Sequence, residues 1–456
     1  MSVPRDPPEP QSDDTNPAET SGPRGARLRQ ELARLRSNPM VRNAQWVMLG
    51  QGLGYAFQAG TFILLAHLLG SVQFGIYAGA FSFVSLDAPY SNLGSPAIFL
   101  RYVCPDHSRF RLYWGNILLA TFTLSFVFIL VLSLVGPHLS RFYSFKLILA
   151  VAMSECLCRQ LALCSATVFQ AFEQLRLTAT LNFLTNVMRF IAVALLVHFL
   201  HTTSAAAWAN ATLAVSACAA VIAVSLVTAR FGKPLLSPRL VAARAREGSL
   251  YAFSYSTQSI YNDIDKTMLG HFGMNAANGI YSMAYRFVDI ASMPVNAVQA
   301  ATSPRFFKHG AGGVSATKLF AQKIIRRTSI VGFIASVALF ACAPIVPHFL
   351  GSSFNETVNA LRWLWLLPLF RSFHSSAGDA LSGAGRADVR LLSQLGAGIF
   401  NFSVNLYLIP HYSWRGAAWS SIATDGLLAV ANWSLVFWLA KRATRIGPGT
   451  PGTALG

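Results

Sequence analysis

The stretch His67 to Phe83, HLLGSVQFGIYAGAFSF, returns 204 positions later as His271 to Phe287, HFGMNAANGIYSMAYRF. Gly75-Ile76-Tyr77 falls on Gly279-Ile280-Tyr281, Ala80 on Ala284, Phe83 on Phe287 and, further on, Asn92 on Asn296. Each copy joins two apolar runs through a short turn, so the repeated unit is a hairpin of membrane helices. A chain of two related apolar halves is the mark of a transporter whose site lies between the halves near the bilayer midplane.

Composition sets the same frame. Hydrophobic residues make up 53% of the 456 and charged residues only 12%, values that belong to a chain dissolved in lipid. Helices that cross the hydrocarbon layer need about 20 apolar residues. Runs of that length predict spans at 46–69, 75–99, 115–136, 145–169, 177–200, 205–229, 250–272, 278–302, 328–350, 357–378, 390–410 and 415–440, with Pro89, Pro96, Pro294, Pro344 and Pro368 expected to kink or break helices. The expected fold is therefore all-α and polytopic, with about twelve transmembrane helices in two six-helix repeats around a central cavity.

A net charge of +18 would suggest nucleic acid in a soluble protein, but base-reading motifs are absent and the charge is sorted by side. With both termini placed in the cytoplasm, 27 of the 36 Lys and Arg face inward and only Arg141, Lys146 and Arg415 face outward. The domain expectation follows: residues 1–40 form a disordered tail and basic amphipathic helix, 41–234 an N-terminal bundle, 235–247 a cytoplasmic linker, 248–441 a C-terminal bundle and 442–456 a cytoplasmic tail. Short, weakly charged outer loops leave no room for a catalytic domain outside.

Several motifs carry no chemistry. Cys104, Cys156, Cys158, Cys164, Cys218 and Cys342 lack zinc or redox spacing. Gly50, Gly52 and Gly54 lie in an apolar run, where small residues serve close packing and do not make a phosphate loop. No cofactor or metal is expected, and without an ATP site transport must draw on an ion gradient or on the gradient of the substrate.

Ionisable and amide residues inside the spans carry the functional signal, since each is costly in lipid and must face protein or water. Asn182, Asn186 and Arg189 share one helical stripe; Gln258, Asn262 and Asp265 share a second, with Lys266 beside them; Arg286, Asp289 and Asn296 share a third. Structural pairing is an equal reading for Asp265 with Arg286 and for Glu155 with Arg159. Arg189 and Arg371 have no obvious mate, although Asp87 or Asp379 would serve, so these two are the first candidates to hold an anion.

The run NAQWVMLGQGLGYAFQAGTFILLAHLLGSVQFGIYAGAFSFVSL from Asn43, with Asn92-Leu93-Gly94 after it, resembles the opening hairpin of the bacterial polysaccharide transporter family, the Wzx-type flippases. DKTMLGHFGMNAANGIYSMAYRFVDIASMPVNAVQAATSPRFF (265–307) resembles the seventh and eighth helices of the same family. The likeness covers roughly residues 41–440 as a pattern of apolar, glycine and tyrosine positions. It implies a multidrug/oligosaccharidyl-lipid/polysaccharide exporter fold in the bacterial inner membrane. It further implies alternating-access movement of an undecaprenyl-diphosphate-linked oligosaccharide for exopolysaccharide, capsule or O-antigen synthesis. Arg189, Arg371, Arg159, Arg286 and Lys266 would then meet the diphosphate and Asn182, Asn186, Asn262 and Asn296 the sugars, while Asp265 and Asp289 would couple an ion. Expected partners are the lipid-linked oligosaccharide and membrane lipids, with polysaccharide polymerase and chain-length machinery as candidates. The competing readings are a multidrug/cation antiporter of the same superfamily and, less favoured, a membrane polymerase or ligase of lipid-linked sugars.

Overall fold

A computed structural model describes residues 39–200, 204–310 and 313–446. The described residues form helices joined by short turns, with no strand among them. The first helix, α1 (Pro39–Asp87), is two helices folded at Gly70, whose backbone (φ 62°, ψ 179°) is one that side chains rarely tolerate. A 3-10 turn (Ala88–Asn92) containing Pro89 then leads to α2 (Ser95–Val103), which has Pro96 in its first turn. Helix α3 (Phe110–Leu139) follows, then α4 (Phe145–Ala152), a π-helical segment (Met153–Cys158) and α5 (Arg159–Ala171). Helices α6 (Leu175–Leu195) and α7 (Ala205–Phe231) complete the first half of the chain.

The second half begins with α8 (Pro238–His271), capped by the Ser237 side chain, and α9 (Asn275–Gly310). Helices α10 (Gly313–Cys342), α11 (Val346–Leu350), α12 (Thr357–Leu364), α13 (Leu367–Gly383), α14 (Ala387–Tyr412) and α15 (Trp414–Ile446) follow. Pro344 lies in a 3-10 turn and Pro368 opens α13, as breaks in those spans require. Helix α9 instead continues across Pro294 as one element. The expected amphipathic helix at 24–37 lies outside the described residues.

Among the described residues eight helical segments are long and apolar enough to cross a membrane, and one of them, Gly52–Val103, contains the two passes folded at Gly70. The expected spans 250–272, 278–302 and 357–378 are also helical, in α8, α9 and α12–α13, but are not among the eight: the first two carry polar cavity residues described below, and the third is broken into helices of 8 and 17 residues. Burial runs opposite to that of a water-soluble bundle. Phe126, Val221, Ile334, Ile399 and Val430 point outward, at least 62% exposed, while Thr121, Ser125, Asn401 and Asn405 are wholly enclosed. Only an apolar solvent makes that exchange favourable.

The repeated hairpins cross each other. Helix α1 packs along α6, α8 and α9, and α9 packs in turn on α10 and α13. Gly75 and Gly279 mark the crossing: a Cβ on Gly75 would stand 2.7 Å from the Gly279 nitrogen and meet the Asn275 carbonyl, and one on Gly279 would meet the Ser71 carbonyl. The Asn278 Nδ2 group donates to the Gly75 carbonyl at 3.0 Å. Beside this crossing Leu65, Leu269, Tyr281, Met283, Leu361 and Leu364 form a dry core, and a second core around Phe99, Trp114, Val168 and Phe169 binds α2, α3 and α5. Between them the helices part around a cavity.

Candidate functional site

The cavity has a volume of about 910 Å³ and is walled by α1, the start of α2, α5, α8, α9, α13, α14 and α15. Its cations are Arg159, Lys266, Arg286, Arg371 and Arg390. Helical register brings them there. On α9, residues 282, 285, 286, 289 and 296 repeat at three, four and seven and turn one polar face inward. Arg286, Asp289 and Asn296 all line the cavity, as do Lys266, Asn262 and Gln258 from α8 and Arg159 from α5.

Most of these charges are neutralised locally. Arg159 meets Glu155 at 2.6 Å, one turn back across the π-helical segment. Lys266 meets Asp263 at 2.6 Å, donates to the Asn262 carbonyl and lies over the Tyr285 ring. Arg371 meets Asp289 at 2.9 Å and donates to the Ser292 hydroxyl. Arg390 meets Asp379 at 3.2 Å and donates to Ser382. Arg286 differs from the rest: its guanidinium lies over the Phe62 and Phe81 rings, with no carboxylate in ion-pair range among the described residues.

Three expectations about pairing are thereby sorted. The Glu155–Arg159 pair forms. The Asp265–Arg286 pair does not: Asp265, 0% exposed, accepts from the Tyr281 hydroxyl, the Ser421 hydroxyl and the Lys266 amide, and it does not line the cavity. Tyr281 and Arg286 are five residues apart on α9, about 140° around the helix axis, so they face different neighbours. Arg371 is not mateless, since it takes Asp289, and Asp379 goes to Arg390.

Asn182, Asn186 and Arg189 lie outside the cavity wall. Their stripe exists, but α6 turns it toward α1: the Asn186 amide stands 3.0 Å from where a Cβ on Gly54 would be, Phe183 and Phe190 pack on Phe57, and Asn182 is exposed. The Arg189 Nε atom is buried without a hydrogen-bond partner. Periodicity locates a polar face but does not say which neighbour receives it.

The second half adds groups that span periodicity did not single out: His374, Arg390, Gln394, Asp425 and Asn432. Asn432 donates to the His374 carbonyl and accepts from Ser393, and His374 lies 3.9 Å from Asp425. Asp425 and His374 are intramembrane ionisable groups, so the cost of burying charge would have pointed to them, although the sequence reading passed them over. From the first half, Asn92 donates to Gln160 at 2.8 Å. The duplicated amides Asn92 and Asn296 thus both face the cavity.

Fold and site define a helical membrane protein with a polar, cation-bearing cavity enclosed between repeated hairpins. The family model for polysaccharide biosynthesis proteins matches residues 40–309, and the chain belongs to that family. A search of curated proteins found no match. Among solved structures, the chain is similar to an inward-facing multidrug resistance MATE family transporter of the MOP superfamily, with TM-score 0.68 and 13% identity over 88% of this chain and 99% of that one. It is similar to the lipid II flippase MurJ in an inward closed conformation, with TM-score 0.69 and 10% identity over 89% and 93%. A third is a MOP superfamily transporter from Pyrococcus furiosus described by the reverse polarity of its binding pocket, with TM-score 0.63 and 14% identity over 90% and 98%. At these identities the likeness is one of fold.

Proposed function

We propose that this protein is a flippase that carries a lipid-diphosphate-linked oligosaccharide across the bacterial inner membrane by alternating access. The observation that carries the reading is Arg286, the cavity cation with no carboxylate in ion-pair range. A guanidinium matches phosphate geometry, and one already paired must break its pair before it can bind. Asn262, Asn296, Asn92 and Gln258 surround the same space with the donors and acceptors that sugar hydroxyls take. The prenyl chain stays in lipid. Arg159, Lys266 and Arg371 serve as secondary contacts, each able to share its carboxylate with the ligand.

In this reading residues 41–234 and 248–441 are the two bundles that rock about the Gly75–Gly279 crossing, with both termini cytoplasmic. The product is used for exopolysaccharide, capsule or O-antigen synthesis, with a polymerase and chain-length machinery downstream. The two acids expected to couple an ion are both engaged, Asp289 with Arg371 and Asp265 with three donors. They hold helices in register here, which leaves coupling to another acid.

The antiporter reading draws on the MATE-like fold, and one experiment separates the two. Deleting the gene should remove surface glycan and leave lipid-linked oligosaccharide on the inner leaflet, with wild-type protein but not Arg286→Ala restoring export at equal protein level. Normal glycan together with new sensitivity to cationic drugs would overturn the proposal in favour of antiport.

A further inference from the structure

The cavity charges leave two groups over. Four of the five wall cations have a carboxylate within 3.2 Å, while Arg286 has none. Among the lining carboxylates, Asp263 and Asp289 have cations, and Asp425 has none within salt-bridge distance other than the imidazole of His374. Asp425 is 8% exposed and accepts no hydrogen bond among the described residues. His374 Nε2 lies 3.9 Å from it and is itself buried without a hydrogen-bond partner among the described residues. An ionised carboxylate facing a bare imidazole nitrogen gives neither a partner, and the enclosed nitrogen has no solvent to take its place. One proton added to the pair satisfies both.

The surrounding groups are otherwise committed. On α13 itself Arg371 takes Asp289 of α9, and Asp379 takes Arg390 of α14. From α8 come Tyr261 and the enclosed Asp265, from α9 Tyr285, and α10 meets α13 through Gly332 and Thr328. On α15, one turn before Asp425, Ser421 donates to Asp265 at 3.0 Å, which joins the pair to the most enclosed acid of the bundle.

We propose that His374 and Asp425 together bind one proton, and that this proton is taken up when a diphosphate enters the cavity. The second clause rests on the flippase reading. With Asp425 ionised, the five wall cations are balanced by five carboxylates: Glu155, Asp263, Asp289, Asp379 and Asp425. A diphosphate diester adds two negative charges beside protein walls that screen them less well than bulk water does. A proton on the pair cancels the charge of Asp425 and so frees Arg286 to offset one of them, leaving one net negative charge where there would otherwise be two. Binding of anion and proton is then mutually favourable, and by linkage each raises the affinity for the other equally. No bond is made or broken beyond the proton's own, which arrives from water in the cavity.

The probe is a short-prenyl diphosphosugar, whose diphosphate diester stays doubly ionised through the neutral range. Calorimetry of the purified full chain in two buffers of different ionisation heat counts the protons bound with it. Wild type should take up to one proton per ligand and should bind about fivefold or more weakly on the alkaline side than on the acid side. Asp425→Asn should bind with the acid-side affinity throughout and take up no proton, and His374→Gln should lose the uptake as well. Uptake equal to wild type in both variants, with unfolding temperatures unchanged, overturns the proposal. Failure of the probe to bind wild type would instead count against the diphosphate reading. The ligand-free protein then decides the first clause: an infrared carboxylic-acid band that titrates in wild type and is missing in Asp425→Asn supports it, and its absence from wild type overturns it.

Discussion

A guanidinium lying on two phenylalanine rings is held in place without being neutralised, which gives Arg286 its importance. Arg286→Ala should abolish glycan export with normal protein level, and Arg286→Lys should keep part of it, because the charge survives while the two-pronged contact does not. A lost charge-assisted hydrogen bond of about 1.5–3 kcal/mol corresponds to roughly 10- to 150-fold weaker binding of a diphosphate probe. Arg371 and Asp289 should behave differently. Removing either alone strands its partner, and because the Asp289 side chain is 48% exposed the effect should be about 1 kcal/mol or less, with each single alanine variant unfolding at a slightly lower temperature than the double variant. Melting of the three variants in detergent checks this, and additive losses would show that the pair is not a structural unit. The sequence identified most of these residues through the expense of intramembrane charge. It could not pair them, because pairing depends on how each helix is rotated, and Asp265 turned toward Tyr281 and Ser421 and not toward Arg286.

Two helices touching backbone to backbone define the element scale. Gly75 has no room for a side chain, so Gly75→Val should cost at least the roughly 1–3 kcal/mol of an overpacked core and reduce folded protein. Gly396, within α14, has open space around it, and Gly396→Ala should be neutral or raise stability by about 0.5–1 kcal/mol through helix propensity. Thermal unfolding of the two variants side by side is the measurement. Helix positions were legible from runs of about 20 apolar residues, a length that the bilayer imposes. The π-helical segments Met153–Cys158 and Leu196–Leu200 were not, since each depends on a local shift of hydrogen bonding that hydropathy does not record. Nor was the destination of the α6 stripe. Asn186 obeys the helical period, yet it meets α1.

Across the whole molecule, the asymmetry of Lys and Arg fixes a testable orientation. A reporter fused after Met274 should read as outside and one after Gly385 as inside; the reverse at either site would invert the assignment of the faces. The crossing of the hairpins has a further consequence. In the 204-position register Ser71 answers to Asn275 as Gly75 answers to Gly279, and Gly75 faces Asn275 while Gly279 faces Ser71. Such a contact reads the same from either side, as the joint between identical subunits about a twofold axis does. The joint could therefore have predated the fusion of the halves, as the seam of a homodimer made by a gene half as long. Its adhesion needs no peptide connection, so a chain severed between Gly232 and Ser237 and expressed as two fragments should reassemble in the membrane and copurify, and Gly75→Val should part them.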